Sequence, residues 1–169
     1  MKAYIKKVLD KLVLAERSPH KLALSFCLGN FIAWSPTIPL QTPLIFILSW
    51  LLRCNSAVTF TTVYIINNPL TMVPLYALDY AFGVFLFHKV LGMNLEQYNP
   101  SWIEKFNAFL SRYVDMKKYL GGGEFCFWCL LLGGLILAFL VSAALYPLMK
   151  RLFTRLIAEL SKRKKEPNA

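Results

Sequence analysis

Long uncharged apolar runs, each broken by a polar cluster that carries prolines, constrain the fold of this chain more than any other feature. Residues 22–52 contain no Asp, Glu, Lys or Arg, and residues 54–87 contain one charged residue, Asp79. The breaks read SPTIPLQTP over residues 35–43 and NNPLTMVP over residues 67–74. Uncharged runs of this length are typical of membrane segments. Backbone groups that a break frees at membrane depth need protein or a wet cavity around them, so such breaks point to binding sites.

The composition agrees with a membrane location. Of the 169 residues, 57% are hydrophobic and 15% are aromatic. The mean hydropathy of +0.48 is too high for an ordinary soluble domain. We therefore predict an all-α integral membrane protein, with residues 1–169 as a single membrane domain.

Helix lengths divide the apolar runs into short pieces and full crossings. Residues 22–34 and 44–52 would span roughly 20 Å and roughly 14 Å as helices, whereas the hydrocarbon core is about 30 Å thick. We expect a re-entrant hairpin that enters and leaves on the cytoplasmic side, with residues 35–43 at its tip. Complete hairpins are the alternative. Residues 69–88 and 125–149 are each long enough for one crossing.

The predicted architecture is two re-entrant or broken-helix elements plus about two full transmembrane helices, with amphipathic interfacial helices beside them. Its segments are a basic amphipathic helix over 1–17, a Pro-broken helical core over 18–90, an amphipathic outer segment over 91–123, a transmembrane helix over 124–149 and a basic cytoplasmic tail over 150–169. In the last crossing, Gly134, Ala138 and Ser142 recur every four residues. This spacing predicts a face of small residues that packs closely on another helix.

The charge distribution orients this architecture. The net charge is +10, and the positive residues concentrate in residues 1–21 and 150–169, whereas residues 89–124 are nearly balanced. Basic segments stay on the cytoplasmic side of a membrane. Both termini are therefore expected in the cytoplasm, and the number of full crossings is even. Basic tails also suit nucleic acid, but the membrane topology explains the same residues, and no nucleic-acid partner is predicted.

Asp79 is the first candidate for a functional group because it lies near the middle of a predicted crossing. A charge at that depth costs about 2.5–3.5 kcal/mol, so intramembrane carboxylates are functional by default. Met72, Tyr76, Asp79 and Gly83 follow helical spacing and share a face that should look inward. Either Asp79 is a protonatable group in a transport path, shared with the Tyr76 hydroxyl, or it hydrogen-bonds the backbone that the two breaks expose.

The breaks also supply neutral polar side chains and helix starts. The pairs that end in Pro36, Pro43 and Pro69 predict helix starts, as Ser18–Pro19 does ahead of the first run. Helix N-termini suit an anion such as a phosphate headgroup; alternatively, the polar side chains only cap their own helices. The predicted ligand or transport path comprises Gln41, Thr42, Asn68, Thr71, Tyr76 and Asp79, and the helix-break prolines are Pro36, Pro39, Pro43, Pro69 and Pro74.

Four cysteines, Cys27, Cys54, Cys126 and Cys129, raise thiol chemistry as an alternative. Cys126 and Cys129 have the C-x-x-C spacing at the start of a membrane helix. Apolar cysteines are also common packing residues, and no βαβ pattern supports a thioredoxin-like site. The spacing of the cysteines and the presence of only two histidines do not fit a zinc site. Neither a metal nor a cofactor is expected.

Three segments carry a family resemblance: SPHKLALSFCLGNFIAWSP, PLQTPL and NNPLTMVPLY, the last followed by Asp79. They resemble a bacterial family of small membrane proteins known as domain of unknown function 2062. Members often have Gly-Leu-His-Thr or a Gly-Gln-like sequence where this chain has Pro39 to Thr42, and often Glu in place of Asp79. The resemblance implies the bacterial inner membrane and no particular activity. Some relatives look fused to glycosyltransferase-like domains, which associates the family with envelope glycans or their lipid carriers.

Three functions follow as hypotheses. The first is a non-enzymatic protein of the bacterial inner membrane that binds or translocates a lipid or lipid-linked anionic envelope substrate at the two breaks. The second is a non-catalytic scaffold for an envelope glycosyltransferase, and the third is a membrane thiol redox protein that uses Cys126 and Cys129. Membrane lipids are the expected partners. A homo-oligomer is a further candidate, because so few crossings enclose little cavity.

Overall fold

The computed structural model describes residues 18–37, 40–93, 95–110 and 125–165. All regular structure in this part of the chain is helical, as the predicted all-α class requires. The helices are α1 (Pro19–Trp34), α2 (Gln41–Leu51), α3 (Ser56–Ile66), α4 (Pro69–Val84), α5 (Ser101–Leu110) and α6 (Phe127–Lys165), with a π-helical turn (Phe85–Val90) after α4 and a 3-10 turn (Glu96–Tyr98) before α5. The predicted amphipathic helix over 1–17, Pro39, the second part of the outer segment (111–123) and the end of the tail (166–169) lie outside the described residues.

The first break separates α1 from α2. Helix α1 begins at Pro19, as predicted. Helix α2 begins at Gln41, so Pro43 occupies its first turn, where a missing N–H removes no bond within the helix. The prediction of a helix start at Pro36 is wrong, because Pro36 and Thr37 are not helical. A helix that began at Pro36 would carry Pro43 in its interior, where the ring clashes with the preceding turn.

The second break separates α3 from α4. Asn55 caps the start of α3, since its side-chain oxygen accepts from the N–H groups of Ala57 at 3.0 Å and Val58 at 3.2 Å. Helix α4 begins at Pro69, as predicted from the Asn–Pro pair. Pro74 lies inside α4 without ending it.

Within the part of the chain that the structure describes, two helices are long and apolar enough to cross a membrane. One is Leu70–Val90, which joins α4 to the π-helical turn, and the other is Phe127–Ser161, most of α6. They overlap the two segments predicted as full crossings, and their insertion into a membrane stays a prediction. Helices α2 and α3 are apolar but shorter, and re-entrant insertion of these pieces stays a prediction.

The chain divides into two compact units. The first unit comprises Met1–Ala33, Thr37–Asn68 and Ala138–Ala169, and the second unit comprises Trp34–Pro36 and Pro69–Leu137. The beginning of α6 thus belongs to the second unit and the rest of α6 to the first. A single membrane domain over residues 1–169 stays a prediction.

Apolar side chains at helical spacing form the core of the first unit. They make two buried clusters, Leu22, Ala23, Val58 and Phe153, and Leu28, Ile32, Ile45 and Val63. Helices α1 and α3 approach closely at Gly29, where a Cβ atom would lie 2.7 Å from the Thr59 carbonyl oxygen. Asn30 on α1 donates to the Ser142 hydroxyl on α6 at 2.9 Å. Ser142 and Ala138 are buried, as the predicted face of small residues requires.

Candidate functional site

Asp79 is the most anomalous polar residue of the second unit. It lies in the second half of α4, and 0% of its surface is exposed. Neither carboxylate oxygen has a hydrogen-bond partner among the described residues. Buried polar groups in folded proteins almost always have at least one partner, and a buried carboxylate without one is far costlier than a neutral group. The described fold therefore leaves this carboxyl uncompensated.

The burial of Asp79 results from a close approach between α4 and the start of α6. A Cβ atom at Gly83 would collide with the carbonyl oxygen of Cys129. A Cβ atom at Gly133 would lie 2.5 Å from Gly83 Cα and 2.7 Å from the Asp79 carbonyl oxygen. Glycine at both positions lets the two backbones touch, as in the small-residue crossings of membrane helices.

The carboxyl group itself faces Gly134, and Pro36 approaches the same glycine. A Cβ atom at Gly134 would lie 3.2 Å from Asp79 Cγ, 3.3 Å from Asp79 Oδ2 and 3.1 Å from Pro36 Cδ. Asp79 and Pro36 therefore border the same narrow space beside Gly134. A proline of the first break and the predicted carboxylate belong to one site, although the sequence places them more than forty residues apart.

The two sides of α4 differ in character. Asp79 and Gly83 are buried, and Met72 and Tyr76 are half-buried, so the face predicted to look inward does so. The other side exposes large apolar side chains, namely Leu70, Val73, Leu78 and, in the π-helical turn, Phe85 and Val90. Leu70 is 88% exposed. A helix surface of this composition is suited to contact with lipid.

Three other predicted path residues belong to the first unit and make local contacts there. The hydroxyls of Thr42 and Tyr64 form a hydrogen bond of 3.1 Å. Asn68 Nδ2 donates to the Ile65 carbonyl at 3.4 Å, in the last turn of the preceding helix α3. Gln41 Nε2 is buried and has no acceptor among the described residues.

The predicted path residues thus form two sets. Gln41, Thr42 and Asn68 lie in the first unit, and Thr71, Tyr76 and Asp79 lie in the second. Thr71 and Tyr76 are half-buried on the same helix as the carboxyl. Sequence reasoning identified Gly134 and Gly83 but missed Gly133, because the four-residue spacing of small residues begins one position later. The adjacent pair Gly133–Gly134 is the signal that would have revealed it.

The C-x-x-C pair lies at the start of α6. The Cys129 N–H donates to Cys126 Sγ at 3.1 Å, so Cys126 acts as the N-cap of the helix. Asn99 accepts from the Phe127 N–H at 3.0 Å and donates to the Phe125 carbonyl at 2.9 Å. Asn99 therefore fixes the same helix end from another segment, a role that no local sequence pattern predicts.

Both thiols of the pair are buried, and neither forms a disulfide bond with a described residue. Cys129 Sγ lies 3.9 Å from His88 Nε2. Among the described residues, no three His, Cys, Asp or Glu side chains group closely enough to hold a metal ion. The arrangement of Cys126 accounts for helix capping directly, whereas thiol exchange with a partner would need an exposed sulfur.

Comparison with known proteins gives one match. Neither a curated protein nor a solved structure matches the chain. A family profile described as an uncharacterized protein conserved in bacteria, domain of unknown function 2062, matches residues 2–161. The match covers almost the whole sequence and includes both breaks, Asp79 and the glycines of α6. This chain therefore belongs to that bacterial family, as the resemblance of its proline-bearing segments predicts.

Proposed function

We propose that this chain is a bacterial inner-membrane protein that binds or translocates a lipid or lipid-linked anionic envelope substrate, with Asp79 as its proton-responsive group. The single observation that supports the proposal most is a fully buried carboxyl whose two oxygens have no hydrogen-bond partner among the described residues. Ionisable groups at such a depth are retained for function because they oppose insertion and packing.

The glycine crossing gives the protonation state of Asp79 a structural consequence. With a proton, the carboxyl is neutral and tolerates its close position beside Gly134. Without the proton, the charge needs water or a cation, whereas the backbones of α4 and α6 are in direct contact at Gly83 and Gly133. Loss of the proton would therefore favour separation of α4 from the start of α6. Such a two-state element is what a transport cycle requires.

The charge of the proposed substrate fits this scheme. A neutral Asp79 does not repel an anionic headgroup, whereas a carboxylate does. Proton uptake would then accompany substrate binding, one proton for each substrate bound. In the first unit, Gln41 Nε2 is a buried donor without an acceptor, and it supports a preference for anionic groups at that break.

The proposed orientation follows from the charges at the two ends. The basic residues within 1–21 and 150–169 favour a cytoplasmic location for both termini. The exposed apolar side of α4, which includes Leu70 and Val73, supports contact with acyl chains. Envelope glycan enzymes remain proposed partners through the lipid carrier that they would share.

Infrared difference spectroscopy on the full chain in lipid nanodiscs tests the role of Asp79. A buried carboxylic acid gives a C=O stretch that changes when pH is stepped, and we expect Asp79→Asn to remove this band. Glu159→Gln is the matched control, because Glu159 is an exposed carboxylate on α6. A pH-dependent band that survives in Asp79→Asn contradicts the proposal.

Mass spectrometry of lipids that co-purify with the protein tests the substrate class. We expect the wild type to retain an anionic lipid or lipid-linked phosphate above its abundance in the membrane, and Asp79→Asn to change the pH dependence of that retention. Retention of bulk membrane lipids in unchanged proportion by both proteins would refute the proposed substrate.

A further inference from the structure

The turn between α2 and α3 reverses the chain in an unusual way. The Arg53 N–H donates to the Trp50 carbonyl at 3.2 Å, and the Cys54 N–H donates to the Ser49 carbonyl at 2.8 Å. These two bonds define a Schellman motif, which ends a helix with one residue in the left-handed conformation. That residue is Arg53, with φ of 51°, whereas glycine usually takes this position. The turn therefore holds a long cationic side chain at a point where the backbone favours glycine.

A cavity of about 560 Å³ opens at this turn, lined by Ser49, Trp50, Leu51, Arg53, Cys54 and Ser56. Its volume lies within the range of small-ligand sites. Ser49 is 0% exposed, and its hydroxyl has no hydrogen-bond partner among the described residues. Arg53 is exposed, and none of the described carboxylates forms an ion pair with it. The cavity thus combines a cation that pairs with no described carboxylate and a buried hydroxyl that has no partner in the described part of the chain.

The start of α3 adds a second positive feature. Ser56, which lines the cavity, is the first residue of this eleven-residue helix. The positive end of the helix dipole therefore faces the same region as Arg53. Asn55 is neutral and already engaged with the backbone of Ala57 and Val58, and the described residues that line the cavity include no acid.

The apolar surroundings of the turn indicate where the anion comes from. Trp50 is 81% exposed, and Leu51 and Leu52 are also exposed. A tryptophan and two leucines beside an arginine are typical of the membrane interface, where the apolar groups reach the acyl region and the cation reaches the headgroups. A phosphate that carries acyl chains would satisfy both parts of this surface.

We propose that the α2–α3 turn is a phospholipid headgroup site, in which Arg53 binds the phosphate and Ser49 donates a further hydrogen bond. The planar guanidinium matches two phosphate oxygens at once. The site lies in the first unit and contains none of the residues around Asp79. The inference rests on the membrane location proposed above but not on the role of Asp79.

Titration calorimetry on the full chain in an uncharged detergent tests the site. The probes are dihexanoyl phosphatidylglycerol and, separately, inorganic phosphate at the same ionic strength. We expect Arg53→Gln to weaken binding of the lipid by about tenfold or more, since hydrogen bonds to charged groups are the strong ones. Ser49→Ala should weaken binding less, and Arg53→Lys should retain part of it because it keeps the charge but loses the two-pronged geometry.

Arg155→Gln is the control for net charge, because Arg155 is an exposed arginine on α6 outside the turn. Arg53→Gly guards against misfolding, since glycine is the residue that the left-handed turn prefers. Loss of lipid binding in both Arg53 variants, with binding kept in Arg155→Gln, supports the proposal. Equal losses in all variants, or no loss in any, overturn it.

Inorganic phosphate that binds as tightly as the lipid overturns the lipid assignment and leaves a free-phosphate site. The loss of lipid binding caused by Arg53→Gln should be the same in the wild type and in an Asp79→Asn background, which separates a failure here from a failure of the proposed function.

Discussion

Single glycines decide how closely α4 and α6 pack. The effect of replacing each glycine depends on the distance from an added Cβ atom to its nearest neighbour. At Gly83 an added Cβ atom meets backbone at the Cys129 carbonyl, whereas at Gly134 it meets side-chain atoms of Pro36 and Asp79 at 3.1 Å or more. Backbone cannot move aside without shifting a helix, but a short side chain can adjust. The two glycines therefore have different tolerance to the same substitution.

We predict that Gly83→Ala lowers the unfolding free energy by about 3 kcal/mol or more, because the overpacking is against backbone. For Gly134→Ala we expect a change within about 1 kcal/mol, since the gain in helix propensity offsets the tighter contact. Thermal unfolding of both variants in detergent measures the difference. Equal stability of the two variants would show that the crossing is looser than described.

Cys126 illustrates how a residue that resembles a redox motif can have a structural role. Its sulfur accepts the Cys129 N–H and caps α6. We predict that Cys126→Ser keeps the cap and changes stability by less than about 0.5 kcal/mol, whereas Cys126→Ala lowers stability by about 1 kcal/mol. Chemical unfolding measures both values. A Cys126→Ser, Cys129→Ser double variant that folds normally but loses the cellular phenotype would favour the thiol redox hypothesis instead.

At the scale of the helices, the residue proposed to bind lipid in the α2–α3 turn, Arg53, also lowers the stability of the fold. Arg53 adopts the left-handed conformation, which costs a residue with a Cβ atom about 1 kcal/mol relative to glycine. We predict that Arg53→Gly raises the unfolding free energy by about 0.5–1 kcal/mol. Thermal unfolding without added lipid measures this gain. A loss of stability would show that Arg53 makes contacts that hold the turn.

The start of α6 depends on a side chain from a distant segment. Asn99 accepts from the Phe127 N–H and donates to the Phe125 carbonyl. We predict that Asn99→Ala lowers the unfolding free energy by about 1–2 kcal/mol, because one substitution removes a cap and strands a carbonyl. Asn99→Asp is the matched variant, since it keeps the acceptor and loses only the donor. Hydrogen exchange at the first turn of α6 reports the same effect locally.

The helix starts at Pro19 and Pro69, the inward face of α4 and the small face of α6 could be predicted from the sequence because each depends on local spacing, whereas the start predicted at Pro36 is wrong and α2 begins two residues before Pro43. Pro19 and Pro69 start helices by their own geometry, and the burial of Asp79 follows from its position in the helical repeat. Three other features depend on partners far away in sequence. They are the contact of Gly83 with Cys129, the hydrogen bonds of Asn99 to the start of α6, and the approach of Pro36 and Asp79 to the same glycine. Local patterns carry no information on those partners, so only the structure reveals them.

The proposed topology of the whole molecule makes a prediction about which side of the membrane each loop faces. Three single cysteines report on it in a Cys54→Ser background, since the other native thiols are buried. We expect Met93→Cys to react with an impermeant maleimide added to intact cells. We expect Leu52→Cys and Ser161→Cys to react only after the membrane is opened. All three positions are exposed in the structure.

Labelling of Met93→Cys and Ser161→Cys from the same side would contradict the crossing by α6. Labelling of Leu52→Cys from outside would contradict any hairpin of α1 and α2 that returns to the cytoplasmic side. Leu40→Cys, an exposed position at the first break, distinguishes the two kinds of hairpin, because outside labelling there would favour complete hairpins over re-entrant ones.

The length of α6 has a mechanical consequence. At about 1.5 Å per residue, a helix of 39 residues extends for roughly 58 Å, nearly twice the thickness of a hydrocarbon core of about 30 Å. Its glycine-bearing end touches the carboxyl of α4, and its far end is a basic rod. If α6 turned as a rigid lever, a tilt of about 5° at the glycines would displace the opposite tip, roughly 48 Å away, by about 4 Å. A change in the protonation of Asp79 would then move the end of α6 and could be sensed by a protein or lipid surface that contacts it.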